Sequence, residues 1–447
     1  MKITSELLSA FLGISSLPNF SANRISIDSR NITGSELFVA INKGHEFVKH
    51  AIDSGAIAAI IDDKKFEIPD KTILVDNTTE ALKLIGQSVK NKIGLKKLIA
   101  ITGSAGKTTT KSWLNTILKH RFSSFSGVGN YNTIYGLPIA LSLLEEGTEF
   151  GIFEIGSNHS GEISELSKYL NPDIGIITNI YESHIGNFGD KASIAREKIS
   201  IIDGMKDGGV LIFDGDSEFA DEIKFSASPK NLKTFSVGFS RNCDFEILSW
   251  DRIIELKTPA GNLEYEVSFL GKHFAYITAS ICATIYAMDL DINEFLPFFK
   301  ELSQIEGRGN IKNYEFQGKI FEVINDAYNA SPAAMFASLE TLQTYHAASK
   351  IAVIGQMKEL GKYEQYYHKL IADKLNSMNI DKVFFIGDES LWPIMNKEGN
   401  VACFEEINNF VIEKILTMVQ NNSVVLLKGS HSVGLEKFIK YLECSTV

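Results

Sequence analysis

The sequence has few of the features that would place a protein in a special environment. Only four of its 447 residues are cysteines, and these lie far apart without a CxxC pair. We therefore expect reduced thiols and neither a disulfide framework nor a zinc site. No apolar run approaches the roughly 20 residues that span a bilayer. The N-terminus, "MKITSELLSAFLGISS", is amphipathic and lacks a signal-peptide core. These absences predict a cytoplasmic protein with no membrane insertion.

An excess of positive charge is also missing. The chain has 55 acidic and 44 basic residues, which gives a formal net charge of −11. This balance argues against nucleic acid or an anionic lipid surface as a partner. Hydrophobic residues make up 44% of the chain, which is enough for a large buried core, and the length suggests two or three domains.

Short apolar runs alternate with helical patterns along most of the chain, which is typical of βα units and parallel sheets. The alternation changes character near Lys97 and again near Gly318, while residues 233–270 look more antiparallel, with a turn at "TPAGN". We predict an α/β fold of three domains. These are a small α/β N-terminal domain at 1–95, a central P-loop-type domain with a mostly parallel sheet at 96–312, and a Rossmann-like C-terminal domain at 313–447.

The stretch "AITGSAGKTTTK" at 100–111 lies between an apolar strand pattern and a helical pattern. A glycine-rich turn that leads into a helix N-terminus forms an anion cradle from backbone N–H groups. In such a loop Lys107 reaches the β- and γ-phosphates and the Thr108 hydroxyl binds Mg²⁺. The strict GxxxxGK[ST] string fails at Ile101, so the loop has the shorter TGSxGKTT form. We predict an ATP site formed by Gly103, Ser104, Ala105, Gly106, Lys107, Thr108 and Thr109.

Two further polar residues follow apolar strands that we expect in the same sheet. Glu154 ends one strand pattern and His184 comes just after another. Open α/β sheets form their sites at the carboxyl edge of the strands, so both side chains should approach the phosphate loop. We predict Glu154 as a ligand of one Mg²⁺ and His184 as a ligand of a second, because two metal ions suit phosphoryl transfer to an anionic acceptor.

Several ordered motifs extend this pattern over nearly the whole chain. They are "GNYNTIYGLP" (129–138), "EIGSNHSGEI" (154–163), "NIYESHIGNFGDKASIAREK" (179–198), "EGRGN" (306–310), "NDAYNASPAAM" (325–335), "GQMKELG" (355–361) and "KGSHSVGLE" (428–436). Together with the phosphate loop they resemble the Mur ligase family, the ATP-dependent enzymes that add amino acids to the peptidoglycan precursor. The resemblance implies a monomeric ligase that joins D-alanyl-D-alanine to UDP-N-acetylmuramoyl-tripeptide through an acyl phosphate.

The resemblance also implies roles for individual residues. Lys198 matches a lysine that is carbamylated by CO₂ and helps to bind the second Mg²⁺, and a free lysine beside two metal ions would be repelled. Arg308 matches an interdomain arginine near the ATP phosphates. Asp326, in a third-domain loop, matches an acid that contacts the ribose of the nucleotide.

Substrate contacts are implied in the same way. Asn329, in the loop that carries Asp326, is expected to hold the dipeptide or the loop itself. The remaining implied positions are Ser331 and His431 at the dipeptide site, Asn130 and Asn132 facing the muramoyl group, and Ser29 and Arg30 at the UDP site.

The sequence departs from the family pattern at several of these motifs. "GKHFAYITA" (271–279) has Phe274 and Ile277 where the adenine segment usually has asparagines. The loop before Gly44 is shorter than usual, Gln356 and Lys358 change the "GQMKELG" stretch, and Ser331 and His431 replace the usual asparagine and arginine. Two alternatives therefore stay open. One is a related Mur-type ligase with a different acceptor, and the other is a Mg-ATP-binding protein that has lost ligation.

Overall fold

The computed structural model describes residues 2–14, 17, 19–129, 131–269, 271–392 and 400–445. Within these ranges the chain forms a four-stranded, a nine-stranded and a six-stranded sheet in succession, together with a two-stranded ribbon. Helices pack against each of the three larger sheets. The predicted α/β class with several parallel sheets is confirmed.

The first sheet is parallel throughout and has the strand order β3-β4-β5-β6. Its two inner strands are buried along their whole length, which is usual for parallel strands that are covered on both faces. The elements of this region are β1 (Ile3–Thr4), α1 (Ser5–Leu12), β2 (Ser21–Ala22), β3 (Arg24–Ser26), β4 (Glu36–Val39), α2 (Val48–Asp53), β5 (Ala58–Ile61), β6 (Thr72–Leu74) and α3 (Thr78–Ile93).

The second sheet carries the phosphate loop. Its strands are β7 (Lys97–Thr102), β8 (Ser124–Ser126), β9 (Phe150–Glu154), β10 (Ile174–Ile177), β11 (Val210–Asp214), β12 (Lys233–Gly238), β13 (Phe245–Trp250), β14 (Ile253–Thr258) and β15 (Gly261–Glu266). Their order is β15-β14-β13-β12-β11-β10-β7-β9-β8. The helices are α4 (Lys107–Lys119), α5 (Gly136–Ser142), α6 (Glu162–Leu170), α7 (Ile185–Phe188), α8 (Lys191–Ile199), α9 (Ala220–Ala227) and α10 (Lys272–Ala287).

The antiparallel pattern predicted for 233–270 is correct for only part of that range. β12 pairs in parallel with both β11 and β13, and antiparallel pairing begins with β13 and β14. The inner residues of β12 are buried, as expected of a parallel strand with both faces covered. The hairpin between β14 and β15 lies at the predicted "TPAGN" turn.

The third sheet has the order β16-β17-β21-β18-β19-β20, and β16 is antiparallel to β17 while the other pairs are parallel. β16 begins at Asn310, so the predicted boundary at 312/313 falls inside a strand, and we place the start of the third domain at this residue. The elements are β16 (Asn310–Phe316), β17 (Lys319–Asp326), α11 (Pro332–Thr344), β18 (Ser349–Gly355), α12 (Glu364–Ser377), β19 (Lys382–Ile386), β20 (Val401–Phe404), α13 (Asn409–Met418), β21 (Ser423–Lys428) and α14 (Glu436–Ser445).

An aromatic cluster fixes helix α4, which follows the phosphate loop. The Trp113 ring stacks on Phe269 with ring centroids 4.4 Å apart and lies 5.4 Å from Phe274. Its indole Nε1–H donates to the Ser303 carbonyl at 2.8 Å. The buried indole therefore joins α4 to the chain segment just before the third domain.

We expect Trp113→Phe to lower the free energy of unfolding by about 1–2 kcal/mol, because the Ser303 carbonyl loses its donor. Heat unfolding followed by calorimetry measures the change. Trp250→Phe is the matched control, since that ring is 46% exposed, and it should change stability by less than about 0.5 kcal/mol. Equal shifts for the two variants would contradict this role for Trp113.

Candidate active site

The phosphate loop lies at the point where the strand order changes direction. β7 sits between β10 and β9, so the loops that follow these three strands meet at one carboxyl edge. Gly103 begins the loop with φ +139°, and a Cβ there would lie 2.0 Å from the Thr178 hydroxyl. Only glycine allows this close approach of two loops.

The loop after β10 braces the phosphate loop. The Asn179 side-chain oxygen accepts from the Ala105 N–H at 2.8 Å, and its amide donates back to the Ala105 carbonyl at 3.1 Å. The Thr178 hydroxyl donates to the same carbonyl at 2.6 Å. Ser104 donates from its hydroxyl to the Tyr181 carbonyl at 2.8 Å. These hydrogen bonds from the segment after β10 fix the conformation of the phosphate loop.

Helix α4 opens directly behind the loop, after Gly106 in a left-handed conformation. The first N–H groups of a helix have no intrahelical acceptor and favour anions. The Lys107 ammonium folds back over the loop and donates to the Gly103 carbonyl at 2.7 Å. Burial lowers the pKa of Lys107, Glu154 opposes that shift, and Arg308 adds to it. The loop thus combines a helix N-terminus with a desolvated cation, which is a receptor for phosphate.

Glu154 ends β9 with a carboxylate that is only 6% exposed. Its two oxygens accept from the Thr108 hydroxyl at 2.7 Å and from the Asn132 amide at 3.0 Å. Burial alone would raise the pKa of Glu154, but Lys107, Lys111 and these hydrogen bonds outweigh it, and the pKa lies below its ordinary value. The structure therefore brings Glu154 and Thr108 together as an oxygen pair beside the phosphate loop.

Lys111 is a second buried cation on the same helix, one turn after Lys107. Its ammonium donates to the Gly127 carbonyl at 2.7 Å and to the Gly129 carbonyl at 3.2 Å. Burial lowers its pKa, and Glu154 opposes that shift. Lys111 thus anchors the segment that leads to Asn130, a residue that was predicted to face substrate and lies outside the described residues.

His184 and Lys198 lie close to the same site. Lys198 is 2% exposed, and its ammonium donates to the Ser157 hydroxyl at 2.9 Å. Burial lowers its pKa to about 7, and Lys107 adds to that shift. Burial also lowers the pKa of His184, and the opposing attraction comes from Glu359 of the third domain, which contacts the His184 Nδ1. The positive charge of Lys107 in the phosphate loop thus lowers the pKa of both His184 and Lys198.

Arg308 lies near the loop, in the segment just before the third domain. Its guanidinium stacks on the Tyr328 ring, with the central carbon 4.0 Å from the centroid. It lies near enough to lower the pKa values of Lys107 and Lys111. The Tyr328 ring in turn lies 6.0 Å from the ring of His431. One row of side chains thus leads from the phosphate loop into the third domain.

Asp326 is the last residue of β17, so its prediction as a loop residue is wrong; in-register pairing with Lys428 of β21 extends the strand to this point. The Lys428 ammonium donates to its carboxylate at 2.8 Å. In the loop that follows, the Asn329 side chain accepts from the Ala330 N–H at 2.9 Å. Ser331 accepts from the Ala334 N–H and caps helix α11. Asn329 and Ser331 therefore shape this loop in the structure.

Ser29 and Arg30 lie on a short 3-10 turn of the first domain. Ser29 is buried, whereas the Arg30 side chain is 84% exposed and pairs with Asp28 at 2.8 Å. That ion pair raises the pKa of Arg30 and lowers the pKa of Asp28. The Arg30 guanidinium, which was predicted for the UDP site, is thus paired with the Asp28 carboxylate in this structure.

The unusual residues of the adenine segment are part of the core. Phe274 and Ile277 are 4% and 5% exposed. Phe274 joins the Trp113 cluster, and the Ile277 side chain lies beneath Gly106, 3.6 Å from where a Cβ of that glycine would be. Gln356, another departure, donates to Glu364 at 2.7 Å. These positions support the site by packing and local hydrogen bonds.

Four contributors to the site were missed in the sequence. Asn179 directly follows an apolar strand pattern, and Lys111 stands four residues after Lys107 on one helix, so position could have indicated both. Ser157 and Glu359 lie inside motifs quoted above, but the sequence did not indicate their contacts, because their partners are 41 and 175 residues away in the chain.

Two kinds of feature are absent from the described part of the chain. No group of three or more His, Cys, Asp or Glu side chains there has an arrangement that could hold a metal ion. No helix there has both the length and the apolar character that crossing a membrane requires.

The sheet order, the phosphate loop and the row of third-domain side chains define a class of protein. It is a nucleotide-binding α/β enzyme in which two domains share one phosphate site. Family models describe the chain further: the Mur ligase middle domain matches residues 101–284, and the Mur ligase glutamate ligase domain matches 307–431. The chain belongs to the Mur ligase family.

Named relatives agree over nearly the full length. The UDP-N-acetylmuramoyl-tripeptide–D-alanyl-D-alanine ligase of Rickettsia prowazekii is 32% identical and covers 98% of this chain and 99% of its own. Its Bacillus subtilis counterpart is 31% identical over 94% and 92%. Among solved structures, MurF from Acinetobacter baumannii gives a TM-score of 0.86 at 25% identity over 99% of both chains. The Thermotoga maritima MurF ligase in complex with ADP gives 0.80 at 26% identity over 94% and 97%.

The braced loop yields a testable expectation. Asn179→Ala should weaken nucleoside triphosphate binding about tenfold, because the two lost hydrogen bonds together contribute on the order of 1–2 kcal/mol. Calorimetric titration with a non-hydrolysable ATP analogue and Mg²⁺ measures the change. Asn293→Ala, at an exposed amide that bonds locally to Asp291, is the control. Unchanged binding by the Asn179 variant would show that the loop keeps its shape alone.

Proposed function

We propose that this protein is an ATP-dependent, ADP-forming ligase that joins D-alanyl-D-alanine to UDP-N-acetylmuramoyl-tripeptide in peptidoglycan precursor synthesis. The observation that carries the proposal is the meeting of second-domain and third-domain side chains at one phosphate site. A ligase needs that arrangement, since the activated acid and the incoming amine must react in one cleft. The activity named for relatives that cover nearly the whole chain supports the choice of substrates. The proposal includes a cytoplasmic location and a monomeric active form.

The reaction has two steps. A carboxylate oxygen of the tripeptide attacks the γ-phosphorus of ATP, the bond to the bridging oxygen breaks, and ADP leaves with that electron pair. The free amine of D-alanyl-D-alanine then attacks the acyl carbon, loses a proton, and expels inorganic phosphate. Lys107 and the first N–H groups of α4 hold the phosphates and stabilise charge on the transferred group. Arg308 approaches the same charge from the segment just before the third domain.

The residues present fit one Mg²⁺ beside the phosphate loop. Mg²⁺ favours one or two protein oxygens together with phosphate oxygens and water, and the Thr108 hydroxyl and the ionised Glu154 carboxylate supply such a pair. When bound there, the ion would neutralise charge on the phosphates. His184 is proposed for a second Mg²⁺, with its imidazole kept neutral by burial as metal binding requires.

We further propose that Lys198 is carbamylated. The buried amine has the Ser157 hydroxyl as its hydrogen-bond partner. Burial outweighs the opposing charges of Glu197 and Glu162 and lowers the pKa of Lys198 to about 7, which favours the neutral amine. The neutral amine attacks CO₂, a C–N bond forms, one proton is released, and an anionic carbamate results. That anion would join His184 in holding the second metal ion.

The substrate ends occupy the two outer domains in this proposal. Tyr328 and His431 line the approach from the third domain, where the dipeptide would enter, and the 329–331 loop shapes that entrance. Asp326 is proposed to contact the ribose. At the other end, the UDP group is assigned to Ser29 and Arg30, and the muramoyl group to Asn130 and Asn132.

A direct test combines Mg-ATP, UDP-N-acetylmuramoyl-tripeptide and D-alanyl-D-alanine, with products followed by mass spectrometry and phosphate release measured in parallel. We expect UDP-linked pentapeptide and phosphate in equal amounts. Phosphate without pentapeptide would indicate a different acceptor. A folded, ATP-binding protein that yields neither product would instead be a binding protein that has lost ligation.

Lys198→Ala tests the carbamate. We expect kcat to fall at least about a hundredfold, because a general loss of transition-state charge stabilisation costs several kcal/mol, and a short carboxylic acid should restore part of it. Lys168→Ala, at a lysine on the neighbouring helix α6, is the control. Full activity of the Lys198 variant would contradict the assignment of this residue to the metal site.

A further inference from the structure

A contact between the second and third domains lies beside the site, and of its members only His184 has a role in the reaction proposed above. We call it the latch. The second domain contributes the turn around α7, and the third domain contributes the turn before α12. Its members are His184, Gly186 and Gly189 on one side and Glu359, Gly361 and Tyr363 on the other.

The latch is made of specific polar contacts. The Gly186 N–H donates to the Glu359 carbonyl at 3.0 Å, and the Tyr363 hydroxyl donates to the Gly189 carbonyl at 3.1 Å. The Glu359 carboxylate contacts the Nδ1 of His184. The backbone hydrogen bond between Gly186 and Glu359 thus lies next to the side-chain contact between His184 and Glu359.

Two residues of the latch have an unfavourable backbone conformation. His184 has φ +55° and Glu359 has φ +64°, in the left-handed region that residues with a Cβ avoid. Such strain persists only where the surroundings enforce it, and it occurs most often at functional sites. Here the two strained residues are each other's partners across the domain boundary.

The two backbones also meet without side chains between them. A Cβ on Gly361 would lie 2.9 Å from the Gly186 Cα, and a Cβ on Gly186 would lie 2.7 Å from the Gly361 nitrogen. Any side chain at either position would force the domains apart. Below this contact, Ile185 and Leu360 are 4% and 2% exposed and belong to one apolar cluster.

We propose that Glu359 is a positioning residue that orients His184 when the third domain closes, and that the Gly186–Gly361 approach sets the distance at which it does so. The His184 ring would then be correctly placed only in the closed protein. This links phosphoryl transfer to closure, so that the acyl phosphate forms only in a cleft shielded from water. The role given to His184 rests on the proposed function.

Gly361→Ala tests the spacing. We expect kcat to fall at least tenfold while the KM for ATP changes less than twofold, because the phosphate loop is untouched. Small-angle scattering with the ATP analogue and tripeptide bound should show a larger radius of gyration than the wild type. Gly318→Ala is the matched control: its φ is +74°, and a Cβ there has nothing within 4 Å, so it carries the same kind of backbone strain without the clash.

Glu359→Ala and Glu359→Gln test the side chain. Alanine should lower kcat about tenfold with KM for ATP unchanged, and glutamine, whose amide oxygen still accepts from His184, should recover most of the loss. Both should unfold at the wild-type temperature.

The outcomes separate the two proposals. Gly361→Ala behaving like Gly318→Ala in both activity and scattering, or a fully active Glu359→Ala, would overturn the latch while leaving the ligase assignment intact. A wild-type protein that makes no pentapeptide would overturn the ligase assignment, and the scattering comparison would still decide whether the latch sets domain closure.

Discussion

Burial of lysine ammonium groups beside the Glu154 carboxylate is the constraint on which the site depends. Lys107 and Lys111 each have a pKa lowered by burial, and Arg308 adds further positive charge. Glu154 is the carboxylate that offsets Lys107 and Lys111. Desolvation makes every one of these charges costly. An incoming polyanion relieves that cost, which is why this region suits a triphosphate.

The architecture explains how so many charges come together. β7 has its neighbours β10 and β9 on opposite sides, so the loops after all three strands open at the same place. The phosphate loop is held in place because Gly103 packs against Thr178 and the Asn179 side chain accepts a hydrogen bond from the Ala105 N–H. Rigidity here preserves the orientation of donors that must face charge as it develops.

The structure accounts for four of the departures from the expected family pattern. Phe274 and Ile277 replace polar residues with apolar ones, and the structure uses both in the core beneath the phosphate loop. Ser331 caps a helix and Gln356 bonds to Glu364. These residues lie outside the phosphate loop and leave that loop and Glu154 in place, which agrees with a working enzyme.

Local patterns in the sequence determined much of the fold and part of the site. The alternation of apolar runs and helices predicted the α/β class, and the flanks of "TGSAGKTTTK" predicted the strand, loop and helix found at 97–119. These features depend on residues close together in the chain, where hydrophobic period and turn chemistry act directly. The position of Glu154 at a strand end was predictable for the same reason.

The tertiary structure alone decided which residues far apart in the sequence come into contact. Ser157 meets Lys198, Glu359 meets His184, and Arg308 reaches the phosphate loop only because the sheets and domains bring them there. It also decided that β12 runs parallel and that Asp326 still belongs to a strand, since strand pairing is chosen by neighbours in space. Propensity and spacing carry no information about such partners, because the free energy that selects them comes from packing between remote segments.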